Sequence, residues 1–353
     1  MKGTLLRLAA ALLGLAAGAA AARAEGPYLD VHCHLACLPR PGSGCFLSER
    51  LRRSYKFKIY LRFLGVSEAR LREEGDGILA DRLSAEIERS RTVRKAVVLA
   101  LDGAVKDGAL DEEATEMYVP NEFVAEQAAR HPNLLFGASV NPYRKDALER
   151  LRWAKEHGAV LVKWIPSIMN IDPSDPALEA FYKRLAAYGL PLLVHTGSER
   201  TFSSSRDELS DPARLELPLR LGVTVIAAHL ASTGRQGGQS CYDRLLPLFR
   251  KYPRLFGDIS ATTQINRIGF LRKALKEPAL KGRLVYGTDW PLQYFPVVSP
   301  FYHVGAISWG RALQVSRIAN AWDRDAALKK ALGTPEEAFA AGWALLKVAP
   351  PRP

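Results

Sequence analysis

The chain has 353 residues, 48% of them hydrophobic, and this length exceeds the usual size of a single domain. Its 49 Lys and Arg outnumber its 37 Asp and Glu, and the excess is spread along the chain instead of forming a basic tail. The formal net charge of +12 therefore favours anionic partners only weakly and gives no reason to expect a nucleic-acid partner.

The first element in chain order is a targeting segment. A basic start precedes an apolar run from Leu8 to Ala22, and Ala22-Arg23-Ala24 forms a small-residue cleavage motif. This pattern predicts a secretory signal peptide over residues 1–24, with an uncleaved membrane anchor as the alternative. The apolar run is shorter than the ~20 residues that span a bilayer, so we expect no transmembrane span after cleavage. The predicted location is periplasmic or secreted.

An exported protein can hold disulfides, and the four cysteines are interpreted accordingly. Cys37 and Cys45 flank a turn-rich loop with two prolines and two glycines. A disulfide between them would close this loop, but the sequence leaves that pairing open because it does not give the Cα separation. Cys33 and Cys241 are expected to be small buried residues.

After the signal segment, one unit repeats: a short β-branched run, a turn and a helical stretch. The predicted strands are Tyr28–Leu35, Ala96–Asp102, Leu134–Asn141, Val160–Pro166, Leu190–Thr196, Val223–Leu230, Leu255–Ser260 and Leu284–Asp289. The predicted helices between them are Asp81–Thr92, Asn121–Arg130, Lys145–His157, Pro176–Tyr188, Pro212–Leu221, Tyr242–Lys251 and Ile268–Lys276. Apolar strands that alternate with helices indicate a parallel sheet covered by helices. Eight units without a Gly-rich phosphate loop predict an α/β fold, a single (β/α)8 TIM-barrel domain over residues 25–353.

Two segments lie outside the eight units. Residues 36–80, an insertion after the first strand, contain a basic stretch over 50–63. This stretch is interpreted as a helix on the barrel rim, with a lid for an anionic substrate or a membrane-surface contact as alternatives. Near the C-terminus, Thr334-Pro335-Glu336-Glu337 is typical of a helix start, and the helix that follows is expected to close the last side of the barrel.

Polar residues stand at the ends of several predicted strands, where a (β/α)8 barrel places its active site. His32 and His34 end the first strand and share a face, because strand residues two apart point the same way. Polar side chains at the ends of apolar strands are costly to bury without partners. Besides the two histidines, the polar residues at strand ends are Lys163 on strand four, His195 on strand five, His229 on strand six and Asp289 on strand eight.

This inventory suits a divalent metal ion. Imidazole nitrogens and a carboxylate are ligands that zinc prefers, and catalytic zinc sites keep one position for water. The ion lowers the pKa of that water, and a nearby general base accepts its proton.

The order His-x-His, Lys163, His195, His229 and Asp289 resembles the amidohydrolase superfamily of metal-dependent barrel hydrolases. The context is most similar to its amidohydrolase-related branch, amidohydrolase 2. The resemblance implies a metal held by His32, His34, His195 and Asp289, with Asp289 also moving a proton. It implies that His229 is a base or substrate polariser in a one-metal site, or a ligand in a two-metal site. One Zn²⁺ is the expected cofactor, with manganese or iron as alternatives.

Lys163 has three interpretations. It is a substrate-binding residue if the site holds one metal, which is the favoured reading. If it is carbamylated it bridges two metals, and in the third reading it is a rim lysine whose amine extends to water.

The predicted function is hydrolysis of a lactone, ester or amide carbonyl in a small-molecule substrate, which is left open as anionic. Non-oxidative decarboxylation of an aromatic or unsaturated acid is the alternative, and a non-catalytic metal or ligand binder is less favoured. Gly287 is expected to allow close backbone approach near Asp289. Arg200, Arg206 and Arg235 are either carboxylate-binding residues or solvated loop residues. The sequence does not indicate the oligomeric state.

Overall fold

The computed structural model describes residues 26–202 and 205–351, so the predicted signal peptide lies outside the described residues. Eight parallel strands pair in chain order. They are β1 (Tyr28–His34), β2 (Val93–Leu99), β3 (Leu134–Ala138), β4 (Leu161–Trp164), β5 (Leu192–His195), β6 (Val225–Ala228), β7 (Leu255–Asp258) and β8 (Leu284–Val285). The last strand region meets the first: the amide of Val31 donates to Tyr286 O at 3.1 Å and that of His34 to Trp290 O at 3.0 Å. The predicted TIM barrel is confirmed.

Helices surround this barrel and cover its two ends. They are α1 (Glu49–Arg53), α2 (Tyr55–Leu64), α3 (Glu68–Glu74), α4 (Gly77–Glu88), α5 (Asn121–Arg130), α6 (Ala147–Glu156), α7 (Pro166–Met169), α8 (Glu179–Tyr188), α9 (Glu216–Arg220), α10 (Cys241–Lys251), α11 (Phe270–Leu275), α12 (Trp309–Ser316), α13 (Ala321–Ala331) and α14 (Glu336–Leu345). Short antiparallel pairs join Phe46–Leu47 to Met117–Tyr118, Val105–Lys106 to Ala109–Leu110, and Arg235–Gln236 to Gln239–Ser240.

Each predicted element has a counterpart, but several bounds differ: the helix predicted as Asp81–Thr92 is Gly77–Glu88, and the strand predicted as Leu134–Asn141 ends at Ala138. Two further strands also depart from the prediction. β2 begins at Val93, three residues before the predicted start. Exposed Arg94 and half-buried Lys95 follow Val93, so the apolar run that marks the strand in the sequence begins late. β8 is paired with β7 only over Leu284–Val285, and the rest of the predicted strand turns along β1.

The barrel interior is apolar at its N-terminal end. Side chains from the strands fill it together with Trp343 and Leu346 from the C-terminal segment. Helix α14 lies directly on β1, where a Cβ added at Gly342 would be 3.0 Å from Val31 Cγ1. The tail therefore packs against the barrel as expected, and it also closes the barrel floor.

The insertion lies over the C-terminal end of the barrel. Ser54 caps α2 by accepting from the Phe57 amide, and Gly65 ends the helix in the left-handed conformation at φ 64°. Lys56 on α2 donates from Nζ to the carbonyls of Arg200 at 2.9 Å and Thr201 at 3.2 Å, which ties the helix to the loop after β5. The interpretation of this segment as a rim helix alone is therefore incomplete: the segment covers the barrel mouth as a lid.

A disulfide joins Cys37 to Cys45 at the base of the lid, with a Cα separation of 6.0 Å. Cys33 and Cys241 are buried free thiols, as expected. Among the described residues, helices long and apolar enough for a membrane span are absent.

Candidate active site

Regular strand alternation aims two polar side chains at the barrel axis. On β4, Leu161 points into the apolar interior and Lys163 follows two residues later. On β5, Leu193 and His195 repeat this arrangement. Because strand residues two apart share a face, each strand places an apolar residue in the floor and a polar residue above it.

His32 reaches the same space through a backbone irregularity. Leu29 and Val31 fill the barrel interior, so strict alternation would turn His32 outward. The pairing of β1 with β2 shifts between Asp30 and Cys33, where β1 holds one extra residue. This bulge turns His32 inward and leaves Cys33 in the outer core.

His229 depends on a second irregularity. It follows β6 with φ 57° and begins a turn in which Leu230 and Ala231 also have positive φ. Thr196 holds this turn: its hydroxyl donates to Ala228 O at 2.8 Å and accepts from the Ala231 amide at 3.1 Å. Left-handed backbone at non-glycine residues is uncommon and clusters at functional sites.

Ligand atoms of His32, His229 and Asp289 all lie within 4.8 Å of one another. Nε2 of His34 is 3.1 Å from Nε2 of His32 and 3.3 Å from Oδ1 of Asp289. The His195 ring centroid is 5.1 Å from that of His229, and its buried Nε2 has no hydrogen-bond partner among the described residues. The structure thus brings all four predicted ligands and the predicted base together, with His229 inside the cluster and His195 beside it.

Asp258, which the sequence analysis missed, fixes how two of these imidazoles are protonated. His32 Nδ1 lies 2.6 Å from Asp258 Oδ2, and Ser260 Oγ donates to the same carboxylate oxygen at 2.7 Å. Since that hydroxyl has one hydrogen, it accepts from Nδ1 of His229 at 2.8 Å. Both Nδ1 atoms therefore carry a proton, and both Nε2 atoms present a lone pair to the cluster.

Burial reinforces this neutral state. It lowers the pKa of His32 well below its usual value, and the charge of Lys163 lowers it further. Burial also lowers the pKa of His229, with His195 and His32 adding to the shift. Metal ligation requires neutral imidazoles, so this donor set of nitrogens and a carboxylate fits a divalent ion.

Asp289 stays ionised in this setting. Burial alone would raise its pKa, but His32, His34 and Lys163 hold the pKa below its usual value. Its backbone has φ 62°, and Asp30 anchors the preceding residue by accepting from Thr288 Oγ1 at 2.6 Å.

Gly287 is needed next to this turn, as expected from the sequence. A Cβ at Gly287 would lie 2.7 Å from Asp258 Oδ1 and 3.0 Å from the Cβ of His32. Side chains therefore do not fit between the strand-eight backbone and the His32–Asp258 pair.

Lys163 is fully buried, with Nζ 3.0 Å from Nε2 of His32. Burial lowers its pKa to about 8, while Asp289 and Asp258 act in the opposite direction. The alternative of a rim lysine extending to water is wrong, because this amine faces the cluster.

The cluster opens into a cavity of about 420 Å³, a size that suits a small-molecule ligand. Lid residues form much of its apolar wall, including Leu61, Leu64 and Leu71. Its polar lining includes Arg267 and Glu199, which the sequence analysis did not single out. The Glu199 carboxylate approaches His195, with 3.6 Å between Oε2 and Nδ1.

The three loop arginines considered in the sequence analysis have different surroundings in the structure. Arg206 pairs with Glu208 at 2.9 Å, and Arg235 donates to the carbonyl of Gly238. Arg200 is exposed at the cavity rim. Trp164 packs outside the barrel against Phe181 and Tyr182, whereas Trp290 is buried and also lines the cavity.

Comparison with known proteins places this site in context. A family model described as Amidohydrolase matches residues 29–298. A probable 2-pyrone-4,6-dicarboxylic acid hydrolase from Acinetobacter baumannii, with citric acid bound, is 13% identical and has a TM-score of 0.54 over 91% of this chain and 100% of its own. An uncharacterized TIM-barrel protein from Bordetella bronchiseptica is 17% identical, with a TM-score of 0.50 over 87% of this chain and 100% of its own. Identities this low show the fold alone, and no curated protein matches the sequence.

Proposed function

The chain belongs to the amidohydrolase family, and on that premise we propose that it hydrolyses a lactone, ester or amide bond in a small molecule with the help of one divalent metal ion. The observation that carries the proposal is the convergence of His32, His34, His229 and Asp289 at the base of one cavity. His195 completes the set of nitrogens around it. The ion is proposed to be zinc, which nitrogen and carboxylate donors favour.

A divalent ion in this donor set would polarise the substrate carbonyl and lower the pKa of a water molecule. His32 presents Nε2 to the ion, and Asp258 keeps the other ring nitrogen protonated. Asp289, ionised and only slightly exposed, accepts the proton of the attacking water at a carboxylate oxygen. Nε2 of His229 lies 3.8 Å from Asp289 Oδ2, close enough to take up that proton, and the ring protonated at Nε2 can then polarise the substrate carbonyl.

Lys163 contributes positive charge beside the cluster. Its amine lies against His32, and Asp289 and Asp258 oppose the loss of its proton. We assign it to substrate binding in a one-metal site. Carbamylation with a second ion is the alternative, and mass spectrometry of the intact protein would show it as a labile mass increase.

Metal dependence is the first test. The purified mature protein should contain about one ion per chain, measured by mass spectrometry of the metals. Removal of the ion by a chelator should abolish hydrolysis in a panel of lactones, aryl esters and anilides, and zinc, manganese or iron should restore it to different extents. Turnover that persists after the ion is fully removed would overturn the proposal.

Non-oxidative decarboxylation is the second candidate. The buried cation Lys163 favours it, because such a group next to the cluster suits a substrate carboxylate. If the protein releases carbon dioxide from aryl carboxylic acids and does not hydrolyse the lactones, aryl esters or anilides, decarboxylation is the function and the first proposal is wrong. Membership of a family of enzymes leaves the non-catalytic alternative without support.

We also propose that the protein is exported. The predicted signal peptide and the Cys37–Cys45 disulfide support this location, because disulfides persist in oxidising compartments. Expression of the full chain in a bacterial host should yield a periplasmic or secreted product whose N-terminal residue is Glu25. A full-length product retained in the cytoplasm would contradict the proposal.

A further inference from the structure

Large apolar side chains are exposed almost exclusively in three segments of the chain. Among the described residues, nine large hydrophobic side chains are exposed, and eight of them lie within residues 50–67, 259–276 and 290–322. These eight, which we call the mouth surface, are Tyr55, Ile59, Ile265, Ile268, Val297, Phe301, Val304 and Trp309. The largest of them, Trp309, is 64% exposed. Such a concentration asks what covers these side chains.

One part of the mouth surface borders the active-site cavity. The amide of Ile265 donates to the carbonyl of Val297 at 2.8 Å, which joins the second and third segments. Ile59 and Val297 both line the cavity. The lid joins the third segment through Phe63 and Phe295, whose ring centroids are 4.6 Å apart. The three segments therefore meet around one opening.

The other part continues sideways along the same segments. Ile268 and Val304 line a neighbouring groove of about 700 Å³, together with Arg272. Phe301 lies against Trp309, with 5.1 Å between the ring centroids. Ile268 is three residues from Ile265, and Phe301 is four from Val297, so the two parts adjoin.

The three segments carry positive charge and no negative charge of their own. Residues 50–67 contain six Lys and Arg, residues 259–276 contain four and residues 290–322 contain two, and all three ranges lack Asp and Glu. Acidic residues of adjacent elements pair with some of these cations: Glu68 with Arg52 at 2.7 Å and Asp243 with Lys273 at 3.8 Å. Among the described residues, exposed Arg62 and Arg272 have no ion-pair partner.

The outward face of lid helix α2 combines both properties. Tyr55, Ile59 and Arg62 are exposed and recur at helical spacing, so they share one face. Leu61 and Leu64 of the same helix line the cavity below. A helix with aromatic, aliphatic and cationic residues on its outer face is typical of one that lies in the interface of a bilayer.

Charge separates the occupants that this surface could take. A second copy of the chain in a symmetric contact would place the same cations opposite one another, which is unfavourable. A nucleic acid would neutralise the cations and leave the isoleucine and valine side chains in water. An anionic bilayer supplies phosphate groups for the cations and hydrocarbon for the apolar side chains.

We propose that the mouth surface docks the protein on a bilayer that contains anionic phospholipid. Tyr55, Ile268 and Trp309 enter the boundary between headgroups and acyl chains, and Arg62 and Arg272 pair with lipid phosphates. The cavity then opens towards the lipid, because the mouth surface borders it. Docking requires neither the metal nor turnover, so it stands or falls independently of the proposed hydrolysis.

The test measures co-sedimentation of the mature protein with two kinds of vesicle: phosphatidylcholine alone, and phosphatidylcholine mixed with phosphatidylglycerol. We expect binding to the mixed vesicles only, and this binding should weaken as salt is added, because salt screens the cations. Equal binding to both kinds of vesicle, or to neither, would overturn the proposal.

Trp309→Ser tests the apolar part of the mouth surface. It should weaken binding to the mixed vesicles by about tenfold, since it removes the largest exposed apolar side chain. Leu148→Ser is the matched control, because Leu148 is the ninth exposed large hydrophobic of the described residues and lies outside the three segments. It should leave the affinity within about twofold.

Arg62→Gln combined with Arg272→Gln tests the cationic part. The pair should weaken binding at low salt by about 25-fold, or about fivefold for each cation. Arg130→Gln combined with Arg152→Gln removes two exposed charges from α5 and α6 as the control and should change the affinity by less than about twofold. Thermal melting shows whether each variant folds, and if one set unfolds the other decides.

Two further outcomes would contradict the proposal. Binding to the mixed vesicles that survives both Trp309→Ser and the double arginine variant would show that lipid meets another surface. Sedimentation velocity without lipid tests for self-association: a dimer that Trp309→Ser dissociates would assign the mouth surface to a second copy of the chain.

Discussion

The two ends of the barrel differ in composition although the same strands build both. At the N-terminal end, Leu161 and Leu193 pack with Trp343 in a closed apolar floor. Two residues further along the same strands, Lys163 and His195 face the cluster of His32, His229 and Asp289. The floor gains stability from apolar burial, whereas the polar end holds groups that bind and react. Substitutions at the two ends should therefore change different quantities.

Asp289→Asn should produce the largest effect, at the polar end. The amide does not accept the proton of the attacking water, so kcat should fall by about 10³-fold or more, while the melting temperature changes little. Initial rates and metal content measured on the same sample check this prediction. Unchanged activity would exclude the assigned role of Asp289.

Leu193→Ala, at the floor, should lower stability and leave kcat nearly unchanged. The side chain is fully buried, and its loss leaves a cavity that should lower the free energy of unfolding by about 2–5 kcal/mol. The metal content and kcat of the folded fraction should stay near those of the wild type. His195→Ala, two residues away, is the matched variant and should lose activity with a smaller change in stability. Urea denaturation and rate measurements on both variants show whether the two ends are separable.

Asp258→Asn tests whether the Asp258 carboxylate holds His32 in the state that binds the metal. Loss of the carboxylate that keeps Nδ1 of His32 protonated should weaken metal binding by about 10- to 100-fold. Competition with a chromogenic chelator measures this affinity. Asp107→Asn, in an exposed loop, is the control and should have no effect. Equal affinities in both variants would show that Asp258 is dispensable for the cluster.

Lys56→Met should have the smallest effect, at the lid. It removes two hydrogen bonds from α2 to the loop after β5, each worth about 1 kcal/mol or less at a partly exposed position. We expect KM to rise by about two- to fivefold and kcat to stay constant. Lys58→Met on the exposed side of the same helix should leave both values unchanged. A fall in kcat with constant KM would show that the lid acts in the chemical step.

The sequence was sufficient for the barrel and for the position of the ring of polar residues. Lys163 and His195 follow the two-residue period of their strands, and that period is visible in the apolar pattern. Asp258 was missed although it ends β7 in the same way, because its contact with Nδ1 of His32 depends on how the two strands pack across the barrel.

Other features depend on tertiary structure. The inward direction of His32 requires the β1 bulge, and that of His229 requires a left-handed turn held by Thr196. The apolar pattern of either strand gives no local signal for these irregularities. Arg267 could not be distinguished from other loop arginines, since its position in the cavity wall follows from how the loops pack.

The β1 bulge has a consequence for protein engineering. A designer who transfers Leu29–His34 to a regular strand of another barrel, with Leu29 and Val31 kept in the floor, would lose the site, because both histidines would point into the surrounding helices. The unit that must be transferred is therefore a short piece of backbone with its extra residue, and not a pair of histidines.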